Sequence, residues 1–261
     1  ELPTWKVFLI QLLDIAGIGP IFGPILGALY GPQALIWIVA GTLLAGGVHD
    51  YFSGMLSVRN RGESIPEVIG DELGSSVRWI MRAFSTVLLL LVGVIFVLAP
   101  AKLLANLLGG AVPAYVTVIF AYYFIATIVP VDKVIGAIYP YMGALLIVMT
   151  GALGIALFAG DYPILANQDF LTNVHPGDKP VWPLLFITLS CGALSGFHST
   201  QSPLMARCIK NERSGRSVFY GAMVAEGIIA LIWTTIGMSF YDSSADLQAV
   251  ISNGGPGAVV N

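Results

Sequence analysis

Seven stretches of this sequence are apolar for long enough to cross a lipid bilayer, and nothing else in it restricts the fold as strongly. They run over 6–31, 33–57, 79–108, 113–131, 134–159, 182–206 and 218–241, and a spanning helix needs about 20 mostly apolar residues. Inside hydrocarbon every backbone N–H and C=O must find a partner within the chain, so such stretches fold as helices. Composition agrees. Hydrophobic residues make up 56% of the 261 and charged ones 10%, where soluble domains carry about a quarter charged. Mean hydropathy is +0.83. The expected fold class is all-α, a polytopic transmembrane helical bundle. A net charge of −3 with scattered basic residues argues against nucleic acid as a partner. Cys191 and Cys208 have no paired spacing, so neither a disulfide framework nor a zinc motif is expected.

The distribution of Lys and Arg orients the spans. With the start of segment one in the cytoplasm, Lys6, Arg59, Arg61, Arg78, Arg82, Lys133, Arg207, Lys210, Arg213 and Arg216 lie inside, and only Lys102 and Lys179 outside. The connection 160–181 is then external. A multi-pass membrane location is expected, with lipid as a partner.

Two segments are not expected to be continuous helices. The first reads Asp14-Ile15-Ala16-Gly17-Ile18-Gly19-Pro20-Ile21-Phe22-Gly23-Pro24, and the sixth Cys191-Gly192-Ala193-Leu194-Ser195-Gly196-Phe197-His198-Ser199-Thr200-Gln201-Ser202-Pro203. Proline removes a backbone donor, and irregular backbone at membrane depth survives only inside protein or beside a watery cavity. Five spans separate the breaks, an odd number, so the two broken helices cross in opposite directions. That is the pattern of an inverted repeat of five helices with binding sites at the breaks. On this reading 1–159 is the first repeat and 160–181 an external connection. Residues 182–241 open the second repeat, 242–261 form an external loop, and roughly three further helices are expected beyond the chain.

Five ionisable side chains lie deep in the spans: Asp14, His49, Asp50, His198 and Glu226. Each stands 8 to 10 residues from its nearest cytoplasmic basic residue, which is roughly 12–15 Å along a helix. Half of a hydrocarbon core is about 15 Å, so all five share one level with both breaks. Ionisable groups at that depth are costly and mark transport pathways by default. His49 and Asp50 are adjacent and point about 100° apart, so they are not expected to enter one small site together.

Weaker signals have plainer readings. Gly27 and Gly31 continue a stripe of small residues for helix packing. Ser64-Ile65-Pro66-Glu67 begins a short interfacial helix. Trp5, Trp79, Trp182 and Trp233 read as interfacial anchors.

Several of these runs resemble one family. Ala16-Gly17-Ile18-Gly19-Pro20-Ile21-Phe22-Gly23-Pro24-Ile25 and Ala45-Gly46-Gly47-Val48-His49-Asp50-Tyr51-Phe52-Ser53-Gly54-Met55 are similar to the carbon starvation protein A (CstA) family. So are Arg61-Gly62-Glu63-Ser64-Ile65-Pro66-Glu67, the run from Ser195 to Arg207, and Phe219-Tyr220-Gly221-Ala222-Met223-Val224-Ala225-Glu226-Gly227. The resemblance implies a proton-driven inner-membrane transporter for peptides, or for pyruvate in some members. It also implies the amino acid–polyamine–cation transporter fold. Longer members carry a Gly-His-His-Phe-like stretch before the first break, whereas this chain reads Leu9-Ile10-Gln11-Leu12-Leu13-Asp14, so it resembles a shorter form.

The functional expectation is a secondary active transporter, and not an enzyme. Gly17, Gly19, Pro20 and Gly23 at the first break would bind substrate with Gly196, His198, Ser199, Thr200, Gln201 and Ser202 at the second. Half-helix N-termini after Gly19 and Gly196 would attract a carboxylate. Asp14, His49, Asp50, His198 and Glu226 would carry a coupling proton, or line the path of Na⁺. No cofactor or resident metal is expected. The rival readings are a metal-dependent intramembrane enzyme built on His49, Asp50 and His198, and a channel or nutrient-sensing transceptor.

Overall fold

The computed structural model describes residues 2–128, 131–160, 162–164, 170–193 and 198–259. Every regular element among them is helical. The first segment folds as α1 (Thr4–Ala16) and α2 (Gly19–Ala28), bent by 48° at a two-residue break. Gly17 makes the break possible. Its φ of +49° lies in the left-handed region that side chains avoid, and a Cβ there would run into the Phe96 ring. Pro20 begins α2, where a missing N–H costs nothing.

Segment two comprises α3 (Gln33–Ala40), a wide π-helical turn over Gly41–Gly46, and α4 (Gly47–Arg59). Next come α5 (Ile65–Leu73), α6 (Ser75–Leu108), α7 (Val112–Ile128) and α8 (Val131–Ala159). Segment six is divided into α9 (Phe186–Ala193) and α10 (His198–Ala206). Gly196 and the break expected there lie outside the described residues. Another π-helical turn, Arg216–Tyr220, leads into α11 (Gly221–Ser239), and α12 (Ser244–Gly254) follows.

Four of the described helices are long and apolar enough to cross a membrane, and the bent pair α1–α2 makes a fifth. At 17 residues, α7 is slightly shorter. The surface fits that solvent. Along α6 and α7, Leu90, Leu91, Val94, Phe120 and Phe124 stand exposed, as suits contact with lipid chains. Since lipid is as apolar as leucine, helices associate by close packing instead of by escape from water. Glycines permit that approach. A Cβ on Gly54 of α4 would overlap the buried Phe219 ring, and one on Gly143 of α8 would sit 2.6 Å from the Leu9 carbonyl oxygen of α1.

The helices of segments one and six lie side by side. α1 packs against α10, and α2 against α9. The first half of one segment thus meets the second half of the other, as antiparallel crossing requires. α11 covers α1 and α2, and α4 packs on α10. A buried apolar cluster that includes Leu12, Ile25, Ile38, Leu189 and Met223 fills the joint.

Several details differ from the expectations above. Segments two and seven contain π-helical turns, which widen the helix and leave carbonyls open. Tyr220 Oη donates to one of these, Leu43 O, at 3.2 Å. Trp233 is no interfacial anchor: it is 3% exposed, and its Nε1 donates to Thr150 Oγ1 at 3.4 Å. Its place on the packed face of α11 decides this, because α8 supplies the partner its N–H would otherwise seek in the headgroups. Trp5, Trp79 and Trp182 remain exposed. The expected loop 242–261 contains α12, capped by Ser243, whose Oγ accepts from the Asp246 N–H at 3.2 Å. Gly31 serves a left-handed turn at φ +77° as well as packing. The short helix after Ser64 is present as α5, clipped to α6 by Glu67 with Arg82 at 2.7 Å.

A strap over 173–179 crosses the end of α2. The His175 ring packs edge-on against Tyr30 with centroids 4.6 Å apart, and its Nδ1 accepts from the Gly177 N–H at 3.0 Å. Burial, reinforced by the Lys179 ammonium and only partly offset by Asp178, holds the His175 pKa below its usual value.

Two outcomes follow. Gly54→Ala forces a methyl into the Phe219 ring and is expected to cost about 1–3 kcal/mol, read as a lowered unfolding midpoint in detergent; an unchanged midpoint would contradict the packing. Because the folded pKa of His175 is depressed, its bond stabilises the strap above the unfolded value of about 6.5 and is lost as pH falls below it. The exchange protection factor of the Gly177 amide should therefore drop on acidification, and in His175→Phe it should be low and flat with pH.

Candidate functional site

Asp50 is fully buried on α4, one π turn after the chain enters the bundle. A carboxylate in such surroundings needs its lone pairs filled, and two other segments fill them. Gln11 of α1 donates from Nε2 to both Asp50 oxygens at 3.0 Å. The Ser202 hydroxyl of α10 donates to Oδ1, while its Oγ lies 3.2 Å from Gln11 Nε2. Gln11 and Ser202 are as fully buried as Asp50. One closed polar triangle thus joins the first half of segment one, the second helix of segment two and the second half of segment six.

One turn away on α10, His198 meets His49. Their Nδ1 atoms stand 3.3 Å apart, so one ring must carry the hydrogen and the other must accept it. His198 is fully buried, and its Nε2 has no partner among the described residues. His49 lies at the exposed end of the pair. His49 and Asp50 diverge, one exposed and the other fully buried, yet both meet α10. Residues 198 and 202 are one helical turn apart on α10, so the two neighbours on α4 engage successive turns of one partner helix.

Glu226 of α11 has no exposed surface, and neither of its carboxyl oxygens has a hydrogen-bond partner among the described residues. It lies near enough to Asp50 to feel its charge. Thr42, in the π turn before α4, packs so closely on α11 that a Cβ on Gly227 would sit 2.6 Å from its Oγ1, and that oxygen is unpartnered too. Each orphaned buried polar group costs about 1–3 kcal/mol. Gln11 Oε1, Thr42 Oγ1, His198 Nε2 and both Glu226 oxygens are five such atoms at the meeting of α1, α4, α10 and α11. That concentration of unpaired buried polar atoms makes this meeting point the candidate functional site.

The remaining expected residues are distributed more widely. Asp14 is half-buried, makes no hydrogen bond among the described residues, and lies near Tyr139 of α8 instead of in the Asp50 triangle. Common depth has not meant a common site. Gly17 turns its open face to Phe96. Pro20 and Gly23 are buried on α2, and Gly19 is half-buried. Ser199, Thr200 and Gln201 are half-buried in the first turn of α10. Among the described residues no three His, Cys, Asp or Glu side chains gather as a metal-ligand set.

Gln11 and Thr42 escaped the sequence reading, which counted only ionisable groups. An uncharged amide inside the run Leu9-Ile10-Gln11-Leu12-Leu13 was the available signal.

Comparison with known proteins places this arrangement. The chain matches the family described as carbon starvation protein CstA over residues 2–117 and 97–249. A Haemophilus influenzae membrane protein is 45% identical over 301 residues, covering 95% of this chain and 81% of its own length. The peptide transporter CstA of Campylobacter jejuni is 28% identical over 88% of this chain and 42% of its own length. The pyruvate/proton symporter BtsT of Escherichia coli K12 is 27% identical over 84% and 39% respectively. The chain therefore spans about two fifths of these named transporters. No solved structure matches it. With the family description matched along most of its length, and with a buried polar site where α1, α4 and α10 meet, the chain belongs to the carbon starvation protein CstA family of membrane proteins.

Proposed function

We propose that this protein is a secondary active transporter that couples entry of a proton to uptake of a peptide or a small carboxylate such as pyruvate. The observation that carries the proposal is the Gln11–Asp50–Ser202 triangle with the His49–His198 pair one turn away, at the contact between two broken segments. Names given to relatives, peptide transporter and pyruvate/proton symporter, point the same way.

The division of labour follows from the chemistry. Helix N-termini at α2 and α10 carry partial positive charge, which suits a carboxylate. Gly19, Pro20 and Gly23 shape the first terminus, with Gly17 at the bend. Ser199, Thr200 and Gln201 supply hydroxyl and amide groups at the second. Asp50 and Glu226 are the proton carriers, because a carboxyl group can sit buried either bonded as an anion or neutral. His49, at the exposed end of its pair, passes protons between the aqueous side and His198. Asp14, outside the triangle, supports the approach to the cavity. Alternating access then consists of the broken segments rocking against α4 and α11. The orientation with the chain start in the cytoplasm, in an inner membrane, completes the proposal.

The test is uptake of labelled pyruvate and of labelled dialanine into proteoliposomes with an alkaline interior. Accumulation above the external concentration, abolished by a protonophore and unchanged when choline replaces sodium, is the expected result. Uptake that merely equalises concentrations whatever the pH gradient would overturn active coupling. His198→Ala and Glu226→Gln should each lower the gradient-driven initial rate by about tenfold or more, a loss of about 1.4 kcal/mol. Glu226→Gln should retain substrate exchange at equal pH on both sides, because the amide imitates the protonated carboxyl.

A further inference from the structure

Gln11 is the one member of the polar triangle that cannot titrate, yet every bond in the triangle passes through it or beside it. Its Nε2 is 3.0 Å from both Asp50 oxygens and 3.2 Å from Ser202 Oγ, so both amide hydrogens point towards the carboxylate side. The other end of the amide, Oε1, is buried and has no hydrogen-bond partner among the described residues. Gln11 itself stands in the seam where α1 packs on α10, since its amide reaches Ser202 of that helix. Leu12 and Ile10 beside it are fully buried, so water does not compete for these bonds.

This triangle has two possible bond directions. With Asp50 ionised, the carboxylate only accepts, so the Gln11 NH₂ and the Ser202 O–H must both donate to it, and Oε1 is turned into the seam. With Asp50 protonated, the carboxyl gains a donor. The Ser202 hydroxyl can accept from it and donate onward to Gln11 Oε1. Half a turn about the Cγ–Cδ bond of Gln11 accomplishes the exchange and leaves the NH₂ group facing the seam. An oxygen in that position repels an anion, and an NH₂ binds one.

We propose that Gln11 is the positioning residue that links proton and substrate, its amide turning when Asp50 is protonated so that two N–H donors face an anionic group in the α1–α10 seam. This rests on the transporter reading above. The proton arrives from the external water, resides on Asp50 while the carboxylate is held, and leaves to the cytoplasm. No other bond changes. Other titratable groups around Asp50 are Glu226 on α11, whose charge interacts with it, His198 on α10 and His49 on α4 itself. From the other elements packed on α4, Glu67 is engaged by Arg82, and Tyr220 by Leu43 O. Arg216 is in the same π turn as Tyr220. Among the described residues the hydrogen bonds to the Asp50 oxygens come from Gln11 and Ser202.

The experiment compares the full-length wild type with Gln11→Met, which keeps the length of the side chain and removes both ends of the amide, and with Asp50→Asn. Exchange of labelled pyruvate is measured in proteoliposomes held at one pH on both sides. Wild-type KM should tighten about tenfold on going from about pH 8 to about pH 6, the size of a modest linkage between two sites. In Gln11→Met, KM should be weak and unchanged with pH while kcat persists, and in Asp50→Asn, KM should also be flat. A Gln11→Met protein with the wild-type pH dependence of KM would overturn the switch. A second arm needs no substrate and therefore survives failure of the transporter reading. In protein labelled with ¹³C at the glutamine side-chain carbonyl, the infrared band absent from Gln11→Met should shift at the same pH at which the Asp50 carboxyl titrates, and should not shift in Asp50→Asn. A Gln11 band that stays fixed while Asp50 titrates would refute the proposal, even in the absence of any pyruvate uptake.

Discussion

The structure depends on how one buried carboxylate is satisfied. Asp50 has no surface exposure, so the free energy of keeping it in a membrane bundle rests on the donors brought to it. Those donors come from α1 and α10. Any movement that separates segments one and six must therefore disturb the Asp50 bonds, and any change in the charge of Asp50 must alter how the segments are held. This reciprocity is what a coupled transporter requires, since coupling is a free energy shared between sites.

Helix breaks and glycine contacts make that arrangement possible. The bend at Gly17 allows α1 and α2 to point in different directions while the Phe96 ring packs where a side chain would otherwise project. Close approach at Gly54 brings α4 against Phe219, and close approach at Gly227 brings α11 against Thr42 of the π turn before α4. The π turns at Gly41–Gly46 and Arg216–Tyr220 stand before the helices that carry Asp50 and Glu226 respectively. They face one another through the Tyr220–Leu43 bond. Both carboxyls thus follow a widened helical turn, in two segments that an inverted repeat would place in equivalent positions.

Much of this was legible in the residues. Prolines and glycines in the run from Gly17 to Pro24 locate the bend, because they forbid the regular hydrogen-bond ladder there. Asp50, His198 and Glu226 stood out as charges in an otherwise apolar setting. What stayed hidden had physical reasons. Gln11 carries no charge, so a search for ionisable groups passes over it although it makes more hydrogen bonds to Asp50 than any charged neighbour. The π turn at Gly41–Gly46 contains no proline, and its width is imposed by the helices packed on it. Trp233 near a span end reads as an anchor until α8 is known to lie against it. The helix α12 was marked by Ser243 and Asp246, a cap signal at the start of what was expected to be a loop. Asp14 shows the limit of arguing from depth alone, since it occupies the right level beside a different helix.

The central claim is that substrate and proton move together through the Asp50 site. Its most direct measurement is the proton itself. Proteoliposomes holding a pH-sensitive dye, at equal pH on both sides, receive external pyruvate or dialanine, with the membrane potential clamped by potassium and valinomycin. The account predicts that substrate acidifies the interior in the wild type and fails to do so in Asp50→Asn, although labelled substrate still exchanges in that variant. Equal acidification in both proteins, or substrate entry in the wild type with no proton movement, would contradict it.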